Sequence, residues 1–328
     1  MTVTQAMQEF ISKLELSSCK RSSGEDACGS CTRCNARRQR DAIREHLEEE
    51  LSVKEFLISG SFKRKTAIKP LNDIDLFVVL DPDAHEDLVD AAPLKILKEI
   101  QRILDDAYPN KEHPIVQDRS VNIEFSGTKL AFDVVPAFPD EENDGYRIPD
   151  RRTNSWISTN PRVHAEHSTA ANERAGNKAK PLVKALKCWN KQSEPKVLRS
   201  FHLELMVYDV LKSDPGPYAD GIAWLLRKLA DRVQSSMPDP AGVGPDVDAQ
   251  LSEADRRRAR RLLLDGADVA DEAIELAKDG KVEEAHYKWR QLLGSTYPEK
   301  GKAPKSKAPA VAAAAAPVAV DPRPRRFG

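Results

Sequence analysis

The chain has 328 residues, 31% of them charged, and a formal net charge of −1. This length allows two domains or one large one, and the balanced charge excludes the general basic field of a non-specific nucleic-acid binder. The sequence contains no long apolar run that predicts a membrane span and no signal peptide, so we expect a cytoplasmic protein.

The first 35 residues combine an amphipathic helix with a cysteine-rich loop. Apolar side chains recur at helical spacing at Val3, Met7, Phe10, Ile11 and Leu14. The loop carries four cysteines in a spacing that suits a structural Zn²⁺ site: Cys19, Cys28, Cys31 and Cys34. Because Cys31 is shared by two C-x-x-C steps, a flexible loop with reduced thiols is the alternative. Cys188 lies alone in an apolar stretch and is expected in the core.

A helix is predicted over residues 36–51, with arginines in its early turns and glutamates in its later ones. This order opposes the helix dipole, which favours acids at the N-terminal end and bases at the C-terminal end. The arginines are therefore either kept for an anionic partner or part of a solvated face with pairs such as Arg44–Glu48.

Residues 60–80 contain the pattern that is richest in chemistry. Gly60 and Ser61 follow a predicted strand at 54–59 and offer backbone N–H groups and a hydroxyl to a phosphate. Asp73 and Asp75 flank one isoleucine at the start of a second strand, 74–80, so their carboxylates point to one side. Two such charges repel unless a cation lies between them, and Mg²⁺ is commonly held in this way with substrate phosphates. The segment predicts a nucleotidyl-transfer site.

A third carboxylate is expected on a neighbouring strand. After a helix at 93–107, two strands are predicted at about 120–125 and 129–135. Asp133 lies in the second of these apolar runs, where a carboxylate is costly unless it is paired or coordinated. It completes a cluster with Asp73 and Asp75. The first half is thus predicted to be a mixed β-sheet with helices, in an α+β protein.

The second half of the chain is predicted to be helical. The helices are expected at 162–175, 180–191, 200–213, 219–236, 252–279 and 281–294. We expect a nucleotidyltransferase core over 1–159, with the N-terminal helices and the Cys-rich loop 19–34, and an α-helical domain over 160–298. Residues 299–328 are rich in alanine, proline and basic residues, a composition that predicts a disordered tail.

An ordered series of motifs over roughly residues 1–298 resembles the bacterial CD-NTases, SMODS-type relatives of animal cyclic GMP–AMP synthase and oligoadenylate synthase. The motifs are GS-x11-DID, FDVVP, WISTNPRVH, NERAGN, KCWN and SFHLEL. The resemblance implies a polymerase-β-like nucleotidyltransferase core joined to an α-helical domain, with the active site between them. It implies a cyclic di- or trinucleotide product, made from nucleoside triphosphates that include ATP, in antiphage (CBASS) signalling.

The resemblance assigns the acidic cluster and the Gly-Ser turn to catalysis. Gly60 and Ser61 would bind the donor triphosphate, and Asp73, Asp75 and Asp133 would hold two Mg²⁺ ions, which Mn²⁺ can replace. One ion would lower the pKa of an acceptor hydroxyl, and the other would neutralise the leaving pyrophosphate. Asp133 is also a candidate acceptor of the hydroxyl proton.

Three residues of the helical half receive nucleotide-binding roles by the same resemblance. Lys187 looks like a lysine that contacts the donor phosphates, and Ser200 like a serine that adds a hydroxyl contact. Phe201 occupies the position of a ring that stacks on the donor base. The alternatives are a solvated Lys187 and a Phe201 that belongs to the core.

The tail and the surface charge bear on partners. Many relatives are encoded beside an E1/E2-like ligase that joins their C-terminal carboxylate to an amine, and a flexible tail ending in Gly328 suits that reaction. An unconstrained terminus without function is the alternative. Another regulatory protein is a further candidate partner, whereas no membrane and no long nucleic acid are expected. The expected state is a monomer or weak oligomer.

Two other functions compete with cyclic-nucleotide synthesis. A nucleotidyltransferase that modifies RNA or a small molecule is the first, but the lack of a basic field and the large helical half disfavour it. A non-catalytic module that senses a nucleotide is the second, and the third carboxylate argues against it because a pure binder needs no pair of metals.

Overall fold

A computed structural model describes residues 1–16, 31–71, 73–193 and 196–299. Over these residues the first half contains a mixed sheet, and the second half is helical. The predicted α+β fold class is confirmed.

The strands of the described chain form one sheet with a hairpin extension. They are β1 (Val53–Ile58), β2 (Asp73–Leu80), β3 (Ile115–Val116), β4 (Val121–Phe125), β5 (Leu130–Asp140), β6 (Gly145–Asp150) and β7 (Ser155–Thr159). They pair in the order β1-β2-β5-β4-β3, and β6 pairs with both β5 and β7. β2 and β5 are parallel, and the other pairs are antiparallel.

The helices of the first half, apart from the N-terminal one, pack on one face of this sheet. The described helices here are α1 (Val3–Leu14), α2 (Thr32–Glu50), α3 (Gly60–Lys63), α4 (Glu86–Val89) and α5 (Pro93–Ala107). Alternate residues of β2, such as Ile74 and Leu76, are buried in one core with Leu47 of α2 and Ile100 of α5. Because successive side chains of a strand alternate in direction, Asp73 and Asp75 face away from these helices.

The helical half has its own core. It consists of α6 (Pro161–Arg174), α7 (Ala179–Asn190), α8 (Ser200–Val210), α9 (Tyr218–Arg232), α10 (Glu253–Lys278) and α11 (Val282–Leu293). Helix α1 joins this core through Met7 and Phe10, although its place in the sequence grouped it with the sheet half. Its apolar stripe packs against α7, α9 and α11. Apart from α1, the division into a core over 1–159 and a helical domain over 160–298 stays a prediction.

The main differences from the predicted elements lie after Asp133. β5 continues to Asp140, and the hairpin of β6 and β7 was not predicted. The segment that forms β6, GYRIPD, alternates Tyr146 and Ile148 with Arg147, but this pattern is short and contains a proline, so its strand is evident mainly from its pairing with β5 and β7. By contrast, the predicted Arg44–Glu48 pair forms, with Nε and Oε1 2.9 Å apart, and Cys188 is buried.

None of the described helices is both long enough and apolar enough to span a bilayer.

Candidate active site

Three carboxylates meet where two parallel strands lie side by side. Asp75 of β2 is the register partner of Asp133 of β5, and Asp73 is opposite Ala131. On the far side of β5, Asn122 of β4 is opposite Asp133 and donates its Nδ2–H to Oδ1 at 2.8 Å. The structure thus brings together the three acids that the sequence predicted would cluster.

Burial, reinforced by neighbouring negative charge, raises the pKa of two of these carboxyl groups, Asp75 and Asp133. Burial raises the pKa of Asp75 to about 7, and the negative charges of Asp73 and Asp133 add to that effect, while the Arg64 guanidinium opposes it. Burial also raises the pKa of Asp133, with the Asn122 hydrogen bond acting in the opposite direction. Negative charge is therefore in excess here, and a bound cation would relieve the repulsion.

Gly60 lies in van der Waals contact with this cluster. Its φ is +60°, and a Cβ at this position would lie 1.5 Å from Oδ2 of Asp75. The N–H of Ser59 donates to the carbonyl of Asp75 at 2.9 Å, which joins the turn to β2. Glycine is thus required twice, by the left-handed backbone and by the approach of the carboxylate.

Backbone hydrogen bonds from the next residues stabilise the Gly60–Ser61 turn. The carbonyl of Ser61 accepts from the N–H groups of Thr66 at 2.9 Å and Ala67 at 3.1 Å. The N–H of Arg64 donates to the carbonyl of Gly60 at 3.1 Å. The hydroxyl and the backbone N–H of Ser61 lie on a turn that is fixed at both ends.

A buried polar cluster connects this turn with the helical half. Glu204 of α8 is fully buried and accepts from Arg64 Nε at 2.7 Å, Thr66 Oγ1 at 2.8 Å, Lys187 Nζ at 2.9 Å and Tyr208 OH at 3.0 Å. Burial alone would raise the pKa of Glu204, but the charges of Lys187 and Arg64 outweigh it and hold the pKa at about 2. Glu204 is therefore ionised, and its charge is matched by two cations.

Lys187 belongs to this cluster. Besides Glu204, its ammonium group donates to the carbonyl and the hydroxyl of Thr66, each at 3.2 Å. A lysine has three N–H donors, and all three are used here. A direct contact with a phosphate would thus require one of these bonds to be exchanged, and the role expected from the resemblance stays a prediction. The solvated alternative is wrong, because Lys187 is 5% exposed.

Ser200 and Phe201 begin α8 near the same cluster. The hydroxyl of Ser200 accepts from Lys196 Nζ at 3.1 Å. The guanidinium of Arg64 lies over the Phe201 ring, 4.6 Å from its centroid, and the His164 ring lies 5.1 Å away. Phe201 is only partly buried at the edge of the helical core.

The donor set fits a hard divalent cation, although the described side chains are not already arranged around one. No three His, Cys, Asp or Glu side chains in the described ranges form a ready metal-binding group. The three crowded carboxylates, with the raised pKa of Asp75, nevertheless supply the oxygen ligands and excess charge that Mg²⁺ prefers. Asp73, Asp75 and Asp133 are the residues that would hold it.

Two of the four predicted zinc ligands and nearly all of the tail lie outside the described residues. Cys19, Cys28 and Gly328 lie outside the described residues. Cys31 is the N-cap of α2, and its sulfur accepts from the N–H of Cys34 at 3.4 Å. The zinc site and the tail's conjugation stay predictions.

Sequence reasoning missed the partners of the catalytic candidates. Glu204 contacts Arg64 and Thr66, but it follows them in the chain by 140 and 138 positions, so no local spacing connects it with them. The one available signal was a lone glutamate in the apolar run SFHLELMVY. Asn122 carried a similar signal as a polar residue in a strand.

Comparison with known proteins adds a family assignment to this geometry. The profile of the Second Messenger Oligonucleotide or Dinucleotide Synthetase domain matches residues 1–172. A protein of Acinetobacter sp. named cyclic AMP-AMP-AMP synthase is 29% identical over 279 residues, covering 79% of this chain and 77% of the relative. The cyclic AMP-AMP-GMP synthase of Enterobacter hormaechei is 25% identical over 335 residues, with 79% and 85% covered.

Solved structures share the fold at lower identity. The structure of E. coli MS115-1 CdnC with ATP has a TM-score of 0.69 and 20% identity, covering 90% of this chain and 98% of that one. The same CdnC in complex with HORMA-deltaN gives a TM-score of 0.66 at 21% identity, with 90% and 98% covered. CdnG of Bradyrhizobium diazoefficiens with GTP gives 0.68 at 15% identity, with 88% and 94% covered.

Proposed function

The chain belongs to the family of second messenger oligonucleotide or dinucleotide synthetases, the bacterial CD-NTases, and we propose that it joins nucleoside triphosphates into a cyclic oligonucleotide. The observation that carries this proposal is the juxtaposition of three carboxylates with the Gly60–Ser61 turn. A nucleotidyltransferase needs both a cluster that binds divalent cations and a support for the donor triphosphate.

The donor triphosphate is proposed to bind against the Gly60–Ser61 turn. The hydroxyl and N–H of Ser61 are the donors for its phosphates, and Gly60 keeps the backbone close to Asp75. Arg64 and Lys187 add positive charge next to the turn, and Glu204 offsets one of these two charges. The site is built to orient the donor, and positioning together with charge neutralisation is the largest contribution to such a reaction.

Asp73, Asp75 and Asp133 are the proposed ligands for two Mg²⁺ ions, for which Mn²⁺ can substitute. When bound, divalent ions at such a site lower the pKa of the acceptor hydroxyl and neutralise the leaving pyrophosphate. The oxygen of a 2′- or 3′-hydroxyl attacks the α-phosphorus, a P–O bond forms, and the bond to pyrophosphate breaks. Asp133 is the proposed acceptor of the hydroxyl proton.

The product is proposed to be a cyclic di- or trinucleotide that contains adenosine. Two of the curated relatives are named as synthases of cyclic AMP-AMP-AMP and cyclic AMP-AMP-GMP, which supports ATP as a substrate. A relative from E. coli is named a CBASS oligonucleotide cyclase, and this supports a role in antiphage signalling. Nucleoside triphosphates are available in the cytoplasm, the proposed place of action.

We propose two kinds of protein partner. The structure of CdnC bound to a HORMA protein supports a regulatory protein as one partner. An E1/E2-like ligase that acts on the carboxylate of Gly328 is the second. The proposed domains are the core over 1–159 and the helical domain over 160–298, with α1 packed into the latter.

A labelling experiment separates this function from its rivals. Purified chain is incubated with α-labelled nucleoside triphosphates and Mg²⁺, with and without RNA, and then treated with phosphatase. Phosphatase-resistant nucleotide products formed without RNA support the proposal. Label that appears only on added RNA or on a small molecule points to the first rival, and the absence of any transfer points to a sensing module.

A further inference from the structure

A second cleft lies along the free edge of β1. It has a volume of about 600 Å³ and is bounded by α2, β1, the α3 turn and one residue of α7, Lys184. β1 is the end strand of the described sheet, so its outer edge pairs with no other strand there. None of the cleft's lining residues is Asp73, Asp75 or Asp133.

The lining of this cleft is strongly basic. Its cations are Arg33, Arg37, Arg40, Lys63, Lys65 and Lys184. The carboxylate among the lining residues, Glu55, already accepts from Arg162 Nη2 at 2.6 and 2.7 Å and from Tyr146 OH at 2.9 Å. The cleft therefore concentrates positive charge in a chain whose net charge is −1.

Most of these cations lack a carboxylate partner. Arg33, Arg37, Lys63 and Lys65 form no ion pair with any residue that the structure describes. Lys184 lies 3.5 Å from Oε1 of Glu15, at the edge of an ion-pair distance. Burial lowers the pKa of Lys184, Glu15 opposes this effect, and the nearby charges of Arg33 and Lys187 make smaller contributions that lower it.

The arginines of α2 are not stabilised by the dipole of their own helix. Arg33, Arg37 and Arg40 recur at i, i+4 and i+7, so they share one face, and Arg33 lies in the first turn, where the helix dipole repels cations. Of the two explanations open from the sequence, a solvated face accounts for Arg44 and is compatible with Arg33 and Arg37, which are exposed, while Arg40 pairs with Asp41. The convergence of these arginines with three lysines on one cleft favours an anionic ligand.

The rest of the lining is apolar. Phe56 and Phe62 contribute aromatic side chains, and Leu16, Ala36 and Ala67 contribute aliphatic ones. A volume of this size lies within the range of small-ligand sites. The cations come from α2, the α3 turn and α7 and converge on one cavity, which distinguishes it from the long basic stripe that a duplex requires.

We propose that this cleft, lined by Arg33, Arg37, Arg40, Lys63, Lys65 and Lys184, is a second, non-catalytic site for a nucleoside polyphosphate. The phosphates contact the arginines and lysines, and the base lies against the phenylalanines. Because Lys184 belongs to the helical half and the other cations to the sheet half, the ligand joins the two halves. The site does not depend on the proposed catalytic function.

Calorimetry with ATP and with tripolyphosphate tests this site. The full chain carries Asp73→Asn and Asp133→Asn and is kept in EDTA, so that binding through the catalytic carboxylates is suppressed. We expect one ATP per chain, with tripolyphosphate as a competitor, and at least tenfold weaker binding after Arg33→Ala with Arg37→Ala. The matched control is Arg257→Ala with Arg261→Ala, an exposed pair at the same spacing on α10, and it should bind as the parent does.

Several results would overturn the proposal. Equal ATP binding by the Arg33/Arg37 variant and the Arg257/Arg261 control would do so, as would no binding by the parent. Tighter competition by a short DNA duplex than by tripolyphosphate would assign the cleft to nucleic acid instead. If the Arg33/Arg37 variant is misfolded by circular dichroism, Lys63→Ala replaces it, with the same expected direction. A parent chain that makes no cyclic nucleotide would contradict the proposed function but would not contradict ATP binding in this cleft.

Discussion

The ammonium group of Lys187 lies 2.9 Å from a carboxylate oxygen of Glu204, at a point where neither side chain is more than 6% exposed. Arg64 reaches the other oxygen of the same carboxylate from the turn that follows Ser61. One buried carboxylate thus connects the segment after the Gly60–Ser61 turn of the sheet half to two helices of the helical half. The geometry of the proposed active site depends on this connection.

Removing the charge of Glu204 should destabilise the protein strongly. Glu204→Gln leaves Arg64 and Lys187 buried with less compensation, and breaking a buried pair in this way costs about 3 to 5 kcal/mol. Urea unfolding followed by circular dichroism measures the change. Glu142→Gln, at an exposed position, should change stability by less than about 0.5 kcal/mol. Equal stability of the two variants would show that the cluster is not a structural connection.

Gly60 should tolerate no side chain. Gly60→Ala places a Cβ against Oδ2 of Asp75 and strains a backbone whose φ is +60°, so the turn or the carboxylate has to move. We expect a loss of nucleotidyl transfer of at least about 100-fold, because small misplacements at a reacting centre have effects of that order. Gly127→Ala is the control, since nothing lies within 4 Å of its added Cβ. Similar rates for the two variants would contradict the placement of Gly60.

Asp75 should make the metal-free protein less stable as the pH rises. Its pKa is about 7 in the folded protein, compared with about 3.9 in an unfolded chain, so the folded state holds the extra proton between these values. Stability then falls as the pH rises through this window, and the unfavourable contribution is complete above it. In EDTA at about pH 8, Asp75→Asn should raise the stability by roughly 1 to 3 kcal/mol and the Tm by a few degrees.

The same variant should have little effect on stability at about pH 4, where Asp75 is protonated in the folded state. Thermal unfolding at both pH values provides the measurement. A lower Tm for Asp75→Asn at the higher pH would mean that its carboxylate is stabilised in the metal-free protein, against the crowding inferred above.

Asn122 should set the pH range in which Asp133 works. Its amide donates to Oδ1 of Asp133 and lowers the pKa of that carboxyl, so Asn122→Ala should raise the pKa. The acidic limb of the rate profile should then move to higher pH, with a greater loss of activity near pH 6.5 than near pH 8.5. The exposed Asn110→Ala serves as the comparison. A uniform loss at every pH would assign Asn122 a purely structural role.

The sequence predicted the elements better than the connections between them. Local periodicity identified the strands of Asp73, Asp75 and Asp133 and located the helices of the second half, because burial of one face leaves a repeating pattern. The pairing of Asp75 with Asp133 and the contacts of Glu204 with Arg64 join distant parts of the chain, and no local pattern records them. The alternation in β6 is limited to Tyr146 and Ile148 beside a proline, too short a pattern to predict a strand, and the strand became evident through its pairing with β5 and β7.

The most direct test of the central claim is mass spectrometry of the nucleotide products made by the parent chain, Asp133→Asn and Asp83→Asn. Asp83 is an exposed aspartate in the loop after β2, so its variant controls for the loss of one carboxylate. We expect a cyclic oligonucleotide mass from the parent and from Asp83→Asn, and none above background from a folded Asp133→Asn. Undiminished cyclic product from Asp133→Asn would contradict the proposed three-carboxylate site.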